Sequence, residues 1–233
     1  MFEFVLNHPL FGLGLTVSAY LVAAALWDRL GRPAIFHPVL VATLLVIAAL
    51  VVSGLPYAVF YTQAALLDEA LGGVIVLLAV PLCRQARLIR DAGMPLGVAL
   101  VVGSAVAIGT ALALPLAAGA DAALLATLAP KSTTAAVAME IAQAHGGAIG
   151  MTAVIVISTG IFGAVFGPAI LAASGVRDPR AVGFALGLAS HAIGTARAFQ
   201  ISDVTGSFAS LGMILNAILT IALVPLVLSL LSS

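Results

Sequence analysis

The chain has 233 residues, of which 63% are hydrophobic and 8% charged; nine Lys+Arg balance nine Asp+Glu, and the mean hydropathy is +1.25. A soluble domain carries about 25% charged residues and under half apolar ones, so no water-soluble core could hide this much apolar surface, and the solvent must be lipid. Zero net charge leaves no basic face for nucleic acid, and the single Cys83 excludes an intrachain disulfide and a cysteine-based metal site.

The opening Met1-Phe-Glu-Phe-Val-Leu-Asn-His-Pro9 lacks the basic stretch of a signal peptide. The first apolar run, Leu10–Trp27, is therefore expected to be a retained span, closed by Asp28, Arg29 and Arg32. Ala34–Val52 is the second, with Pro38 in its first turn and Ser53-Gly-Leu-Pro56 breaking it. A loop through Tyr57, Tyr61 and Gln63 leads to a third run, Leu66–Leu82, whose Gly72-Gly73 and Pro81 invite an irregular segment. Arg84, Arg87 and Arg90 follow, and Leu96–Leu116 forms the fourth span. In Asp121–Ala144 the apolar part before Pro130 is far shorter than the ~20 residues needed to cross. A second helical piece, Ala135–Ala144, carries Glu140, so this segment reads as broken or re-entrant. Gly146–Ala173 is a further span, Arg177-Asp-Pro-Arg180 a polar turn, Ala181–Phe199 another span, and Phe208–Leu231 the last.

Basic residues constrain the topology. Arg29/Arg32 and Arg84/Arg87/Arg90 share a side if each intervening run crosses once, and cytoplasmic loops carry the Lys/Arg excess. Arg177 and Arg180 join that side only if Asp121–Ala144 enters and returns or splits into two pieces. The charge pattern thus favours the broken reading. The halves 1–120 and 121–233 of a single integral membrane domain (1–233) would then run in opposite senses, an inverted repeat with Leu66–Leu82 and Ala181–Phe199 as irregular counterparts. The expected fold is an all-α polytopic membrane protein of about seven to eight transmembrane helices with broken or re-entrant segments.

Two polar clusters interrupt the apolar runs. Lys131, Ser132, Thr133, Thr134 and Glu140 form one; His191, Thr195 and Arg197, within Ala189-Ser-His-Ala-Ile-Gly-Thr-Ala-Arg-Ala-Phe199, form the other. A charge at bilayer depth costs from about 2.5 to more than about 10 kcal/mol, so it needs a partner, a water-filled cavity or a function. The alternative is an interfacial helix end where His191 and Arg197 snorkel to water. Gly194 is a weak helix former and is expected to let its helix open. The amides around Ser132–Ala135, a positive helix end and a nearby Lys131 or Arg197 could hold a small anion; Ser132 and Thr133 read equally well as N-caps. Glu140 reads as a proton carrier or as the counter-ion of Lys131 or Arg197. His191 reads as a proton relay or a hydrogen-bonded structural residue. Asn216 reads as helix–helix glue, and His145, Asp178 and Asp203 as loop residues. Ser190 and His191 are adjacent and cannot face each other on one helix as nucleophile and base. There is no Walker-type loop and no concentrated metal-ligand set, so neither an enzyme nor a cofactor is expected.

Pro130-Lys-Ser-Thr-Thr134 with Ala138-Met-Glu-Ile141, Thr159-Gly-Ile-Phe-Gly-Ala with Gly167-Pro168, and Ala189–Ala198 closely resemble the LrgB/CidB family. Leu78-Ala-Val-Pro-Leu-Cys-Arg-Gln85 and Gly54-Leu-Pro-Tyr57 extend the resemblance over essentially the whole chain. Gly72-Gly73 and His37-Pro38 depart from it, standing where the family usually has Gly-Pro and Asn-Pro. The resemblance implies two functions. One is a transporter of small monocarboxylates such as pyruvate or glycolate, as in plastid relatives that carry glycolate and glycerate. The other is an antiholin-like protein that modulates murein hydrolase activity and autolysis with a small holin-like (LrgA/CidA-type) membrane partner. It also implies a bacterial plasma (inner) membrane location, a relation to bile-acid-transporter-like inverted repeats, and room for a homo-oligomer. Broken helices and intramembrane charges favour the carrier, with lysis control as its output.

Overall fold

Lipid offers backbone groups no hydrogen bonds, and every regular element among the described residues is helical. The computed structural model describes residues 6, 8–31, 36, 38–67, 69–70, 77, 79–84 and 86–231, without the side chains of Ala79, Pro81 and Leu82. The expectations for His37 and Gly72-Gly73, and nearly half of the third run, lie outside the described residues. The chain resolves into two compact units, 1–79 and 80–233.

In the first unit, α1 (Phe11–Arg29) packs on α2 (Pro38–Ser53) through Ala19, Ala23 and Ala42, small residues that let the backbones approach. The short α3 (Tyr57–Gln63) reaches α1 at Gly12, and Gln63 Nε2 donates to the Leu6 carbonyl at 2.8 Å.

The second unit runs through α4 (Ala79–Arg84), α5 (Ala86–Asp91), α6 (Gly93–Ala117), α7 (Ala122–Leu128), α8 (Ala135–Ala144), α9 (Ile149–Ala173), α10 (Pro179–Ile201) and α11 (Asp203–Leu231). α6 and α11 are parallel: Ser104 meets Asn216, and further along Ile108 and Leu112 pack in one cluster with Val224 and Leu228. The unit's two ends can be told apart by what gathers there. Asp91, Asp178 and Arg180 line one cleft, while Ala120, Ala122, His145 and Ser229 line a cavity at the other end.

The segment after α6 is a hairpin that enters from the His145 end. Asp121 caps α7, its Oδ1 accepting from the Leu124 amide at 2.8 Å. Residues 129–134 form the tip, and α8 returns. Thr127, at the end of α7, accepts at its hydroxyl from the Ala148 amide (2.9 Å), and its carbonyl accepts from Thr152 Oγ1 (3.2 Å). Ala148 follows α8 directly, so the two arms are antiparallel. α8 stops at Gly146 (φ +76°), where the amides of Gly147 and Gly146 bond back to the carbonyls of Ala142 and Gln143. Asp121–Ala144 folds back on itself, the arrangement that the charge pattern favoured. Arg180 therefore lies at the same end as Asp91, next to Arg90.

Ala181–Phe199 departs from expectation. It is not a crossing but a second hairpin, entering from the Asp178 end. The break falls at Ser190 (φ −131°, ψ 15°) and His191 (φ 43°, ψ −136°), not at Gly194. Residues 179–189 (α10a) climb to this turn and residues 192–201 (α10b) descend. Ala198 packs with Leu186 and Ala209 in one buried cluster, although a straight helix would hold positions 186 and 198 about 18 Å apart. Gly194 instead lets the arms touch, because a β-carbon there would strike the Leu186 carbonyl. α10a lies on α11 through Gly183 against Thr205 and Gly187 against Ala209.

Four described helices, α1, α6, α9 and α11, are long and apolar enough to cross a membrane, and α2 is shorter at 16 residues. This is fewer than the seven to eight expected, because two of the expected runs fold back as hairpins or lie partly outside the described residues. Apolar side chains point outward as well as inward: Val98, Val101, Val102 and Val106 of α6 are each more than half exposed. Such a surface suits lipid and not water.

Candidate functional site

The two tips enter from opposite ends and meet at one buried side chain, Asn216. It lies 13 residues into α11, or about 20 Å along a helix roughly 43 Å long, close to its middle. Its Oδ1 accepts from Ser104 Oγ of α6 at 2.7 Å. Its Nδ2 donates to the Ser132 carbonyl of the first tip and to the Leu188 carbonyl of α10a, both at 3.1 Å. Two carbonyls sharing one nitrogen hold the tips within two hydrogen-bond lengths of each other. Asn216 is thus the glue its sequence context suggested, and it joins three elements. The sequence reading missed Ser104, Thr127 and Thr152, buried hydroxyls inside apolar runs. Such residues need partners in lipid, and that need was the available signal.

The first tip presents an unusual helix start. Thr134 is the N-cap residue of α8, but its side chain makes no capping bond. The amides of Ala135, Ala136 and Val137 have no intrahelical partner by geometry. The expected capping by Ser132 or Thr133 is absent: Ser132 Oγ lies 3.5 Å from Asn216 Nδ2, and Thr133 Oγ1 is buried with no hydrogen-bond partner. Lys131 is half-buried beside them. Among the described residues neither Lys131 nor Glu140 takes part in a salt bridge. Glu140 is exposed on α8, on the arm returning to the His145 end.

The second tip is built on His191, 4% exposed. Its Nε2 donates to the Val156 carbonyl of α9 at 2.9 Å. The ring reaches that carbonyl because Gly160 has no β-carbon, and Gly163 likewise makes room for Ser190. Thr195 donates to the His191 carbonyl at 2.9 Å and approaches Met213 Sδ at 3.9 Å, so its hydroxyl proton is committed. Arg197 sits lower on α10b, and its Nη1 donates to Gln200 Oε1 at 3.0 Å. The structure therefore brings Lys131, Ser132, Thr133, Thr134 and His191 to the two tips. It sets Arg197 about 9 Å of helix below the turn, on the arm that descends while Glu140's arm runs the other way. Among the described residues no His, Cys, Asp or Glu group could hold a metal ion.

α8 and α10b both begin at the centre, so two helix N-termini converge there. Their dipoles add positive potential near Lys131, an arrangement suited to a small anion.

Comparison with known proteins places nearly the whole chain in one sequence family. The model of the LrgB-like family matches residues 16–230. The chain is 30% identical over 211 residues to "Holin-like protein CidB" of Staphylococcus epidermidis and 31% to the Staphylococcus aureus protein of that name. It is 36% identical over 213 residues to "Uncharacterized protein YxaC" of Bacillus subtilis. In each case the match covers 91% of this chain and 92% of the relative. No solved structure matches. With the family model spanning nearly all of its length, the chain belongs to the LrgB-like family.

Proposed function

We propose that this protein is a carrier of small monocarboxylate anions, pyruvate, glycolate or similar, in the bacterial plasma membrane. Its activity bears on murein hydrolase regulation and autolysis, the process in which this holin-like family is implicated. The observation that carries the reading is the uncapped start of α8 beside the middle of α11, with Thr133's unpartnered hydroxyl and Lys131 next to it. A pore without a dedicated substrate would not need an ammonium at this depth, where the cost is about 2.5–3.5 kcal/mol on insertion scales. The carboxylate binds the amides of α8 and Lys131, Thr133 reads a second oxygen, and His191 closes the site from the opposite tip. Residues 121–173 and 178–231 each form a hairpin followed by a crossing helix, in opposite senses. We read this pair, in place of the expected halves 1–120 and 121–233, as an inverted repeat of the kind that supports alternating access. A small holin-like membrane partner and self-association are consistent with the relatives' name but are not required by the site.

The test is uptake of labelled pyruvate and glycolate into proteoliposomes. Thr133→Val keeps the shape and removes only an unpaired hydroxyl, so melting in detergent should be unchanged or higher while uptake falls. Lys131→Gln should weaken uptake tenfold to a hundredfold, since a charge-assisted contact is worth about 1.5–3 kcal/mol. Unsaturable leakage of unrelated solutes, or parental uptake in both variants, would refute the carrier.

A further inference from the structure

An apolar cleft reaches up to the foot of the second tip, at Leu188 and Ala189. α6 and α10a touch where Gly103 meets Leu188, a β-carbon at Gly103 lying only 2.9 Å from Leu188 Cδ1. From this floor the two helices diverge toward the end marked by Asp91 and Asp178, enclosing a cleft of about 590 Å³. Its walls are Pro95, Leu96 and Ala99 on one side and Ala181, Phe184 and Ala185 on the other. Every one of these is apolar. Asp91, Asp178 and Arg180 stand at the mouth.

We infer that this cleft holds one acyl chain of a membrane phospholipid whose headgroup carries both a phosphate and an ammonium. Depth is the first reason. About ten residues separate floor from mouth on α10a, roughly 15 Å, which is one leaflet of a hydrocarbon core about 30 Å thick. The lining is the second. A small carboxylate travelling this route would shed its hydration along walls that return no hydrogen bonds, whereas a methylene chain loses nothing there. The mouth is the third. Arg180 is tied to Asp178 through Nε and Nη2, the latter at 2.7 Å from Oδ2, which fixes its guanidinium and leaves the rest of its donor fork for a phosphate. Asp91 is exposed and without a salt bridge among the described residues, so it suits an ammonium. Because α10a is one wall of the cleft and leads straight to Ser190 and His191, a chain seated here braces the outer arm of the second hairpin against α6. This assignment is independent of the carrier reading.

The experiment places the full chain in nanodiscs with phosphatidylethanolamine bearing a diazirine at the end of one acyl chain, followed by photolysis and peptide mapping. Label should concentrate on the cleft-facing Leu96, Ala99 and Gly103 of α6 and on Ala181, Phe184 and Ala185 of α10a. Joint Ala99→Trp and Ala185→Trp changes fill the cleft and should cut that label several-fold, leaving outward-facing Val101 and Val102 labelled as before. Arg180→Gln leaves the walls intact, so it reports on the headgroup even if the double variant fails to fold; it too should lower labelling at the floor. Even labelling of outward faces in the parent, or no change in Arg180→Gln, overturns the proposal. Displacement of label by excess pyruvate or glycolate also overturns it, by making the cleft a route for small anions.

Discussion

His191 holds φ +43° and ψ −136°, a conformation that non-glycine residues occupy at a cost of about 1–3 kcal/mol. The Val156 hydrogen bond and the surrounding packing keep it there. Both His191→Gly and His191→Ala lose that bond, but only glycine also loses the strain. His191→Gly should therefore melt higher than His191→Ala in detergent. Ordinary helical positions show the reverse order, with alanine better by about 1 kcal/mol. If alanine proves the more stable, the turn at 190–191 is not strained. Asn216 makes a complementary case. Asn216→Ala strands Ser104 Oγ and the carbonyls of Ser132 and Leu188 in a fully buried setting, at a cost of about 1–3 kcal/mol. Ser104→Ala strands only Asn216 Oδ1 and leaves both tips held, so it should cost less than Asn216→Ala. Equal losses in the two variants would mean that Asn216 does not join the tips.

At the scale of elements, the α10–α11 contact depends on backbone approach. A β-carbon at Gly183 or Gly187 would collide with the carbonyls of Thr205 or Ala209. Those atoms are backbone and cannot swing aside. Gly183→Ala and Gly187→Ala should each lower the melting point markedly, whereas Gly109→Ala, with nothing within 4 Å, should raise it by the equivalent of about 0.5–1 kcal/mol. A loss at Gly109 equal to that at Gly183 would show that helix propensity, and not contact, governs. These glycines also explain what the sequence could tell. The first hairpin was legible because its apolar arm is too short to cross and Pro130 interrupts it. The second was not, since 179–201 has the length of a span, although its polar residues leave it less apolar than the four helices suited to crossing. Its fold-back depends on a positive φ at a histidine, which no propensity anticipates, and on glycines whose partners lie on other helices. Gly194 drew attention as a helix breaker, but its role is to let the two arms meet. The polar residues at both tips stood out as misfits in lipid. Arg197 and Glu140 stood out equally, and only the directions of the arms separate them from the tips.

For the whole molecule, the second hairpin changes which side the chain ends on. If 179–201 crossed once, Asp178 and Ser229 would lie on the same side, because two crossings would separate them. With 179–201 folded back, one crossing separates them, and Ser229 shares its end with His145. Arg84, Arg87 and Arg90 precede Asp91 in sequence, and from the Lys/Arg excess we expect the end of Asp91, Asp178 and Arg180 to face the cytoplasm. With Cys83 replaced, single cysteines at Arg87, His145, Asp178 and Ser229 can be probed in intact cells with an impermeant thiol reagent. All four side chains are exposed from the protein, and label gained on permeabilisation separates sidedness from protection by lipid. His145 and Ser229 should label from outside; Arg87 and Asp178 should label only after permeabilisation. Ser229 protected together with Asp178 would mean that α10 crosses and its two arms do not pack on each other. Asp178 labelled while His145 is protected would reverse the first hairpin instead, and with it the meeting of the two tips at Asn216.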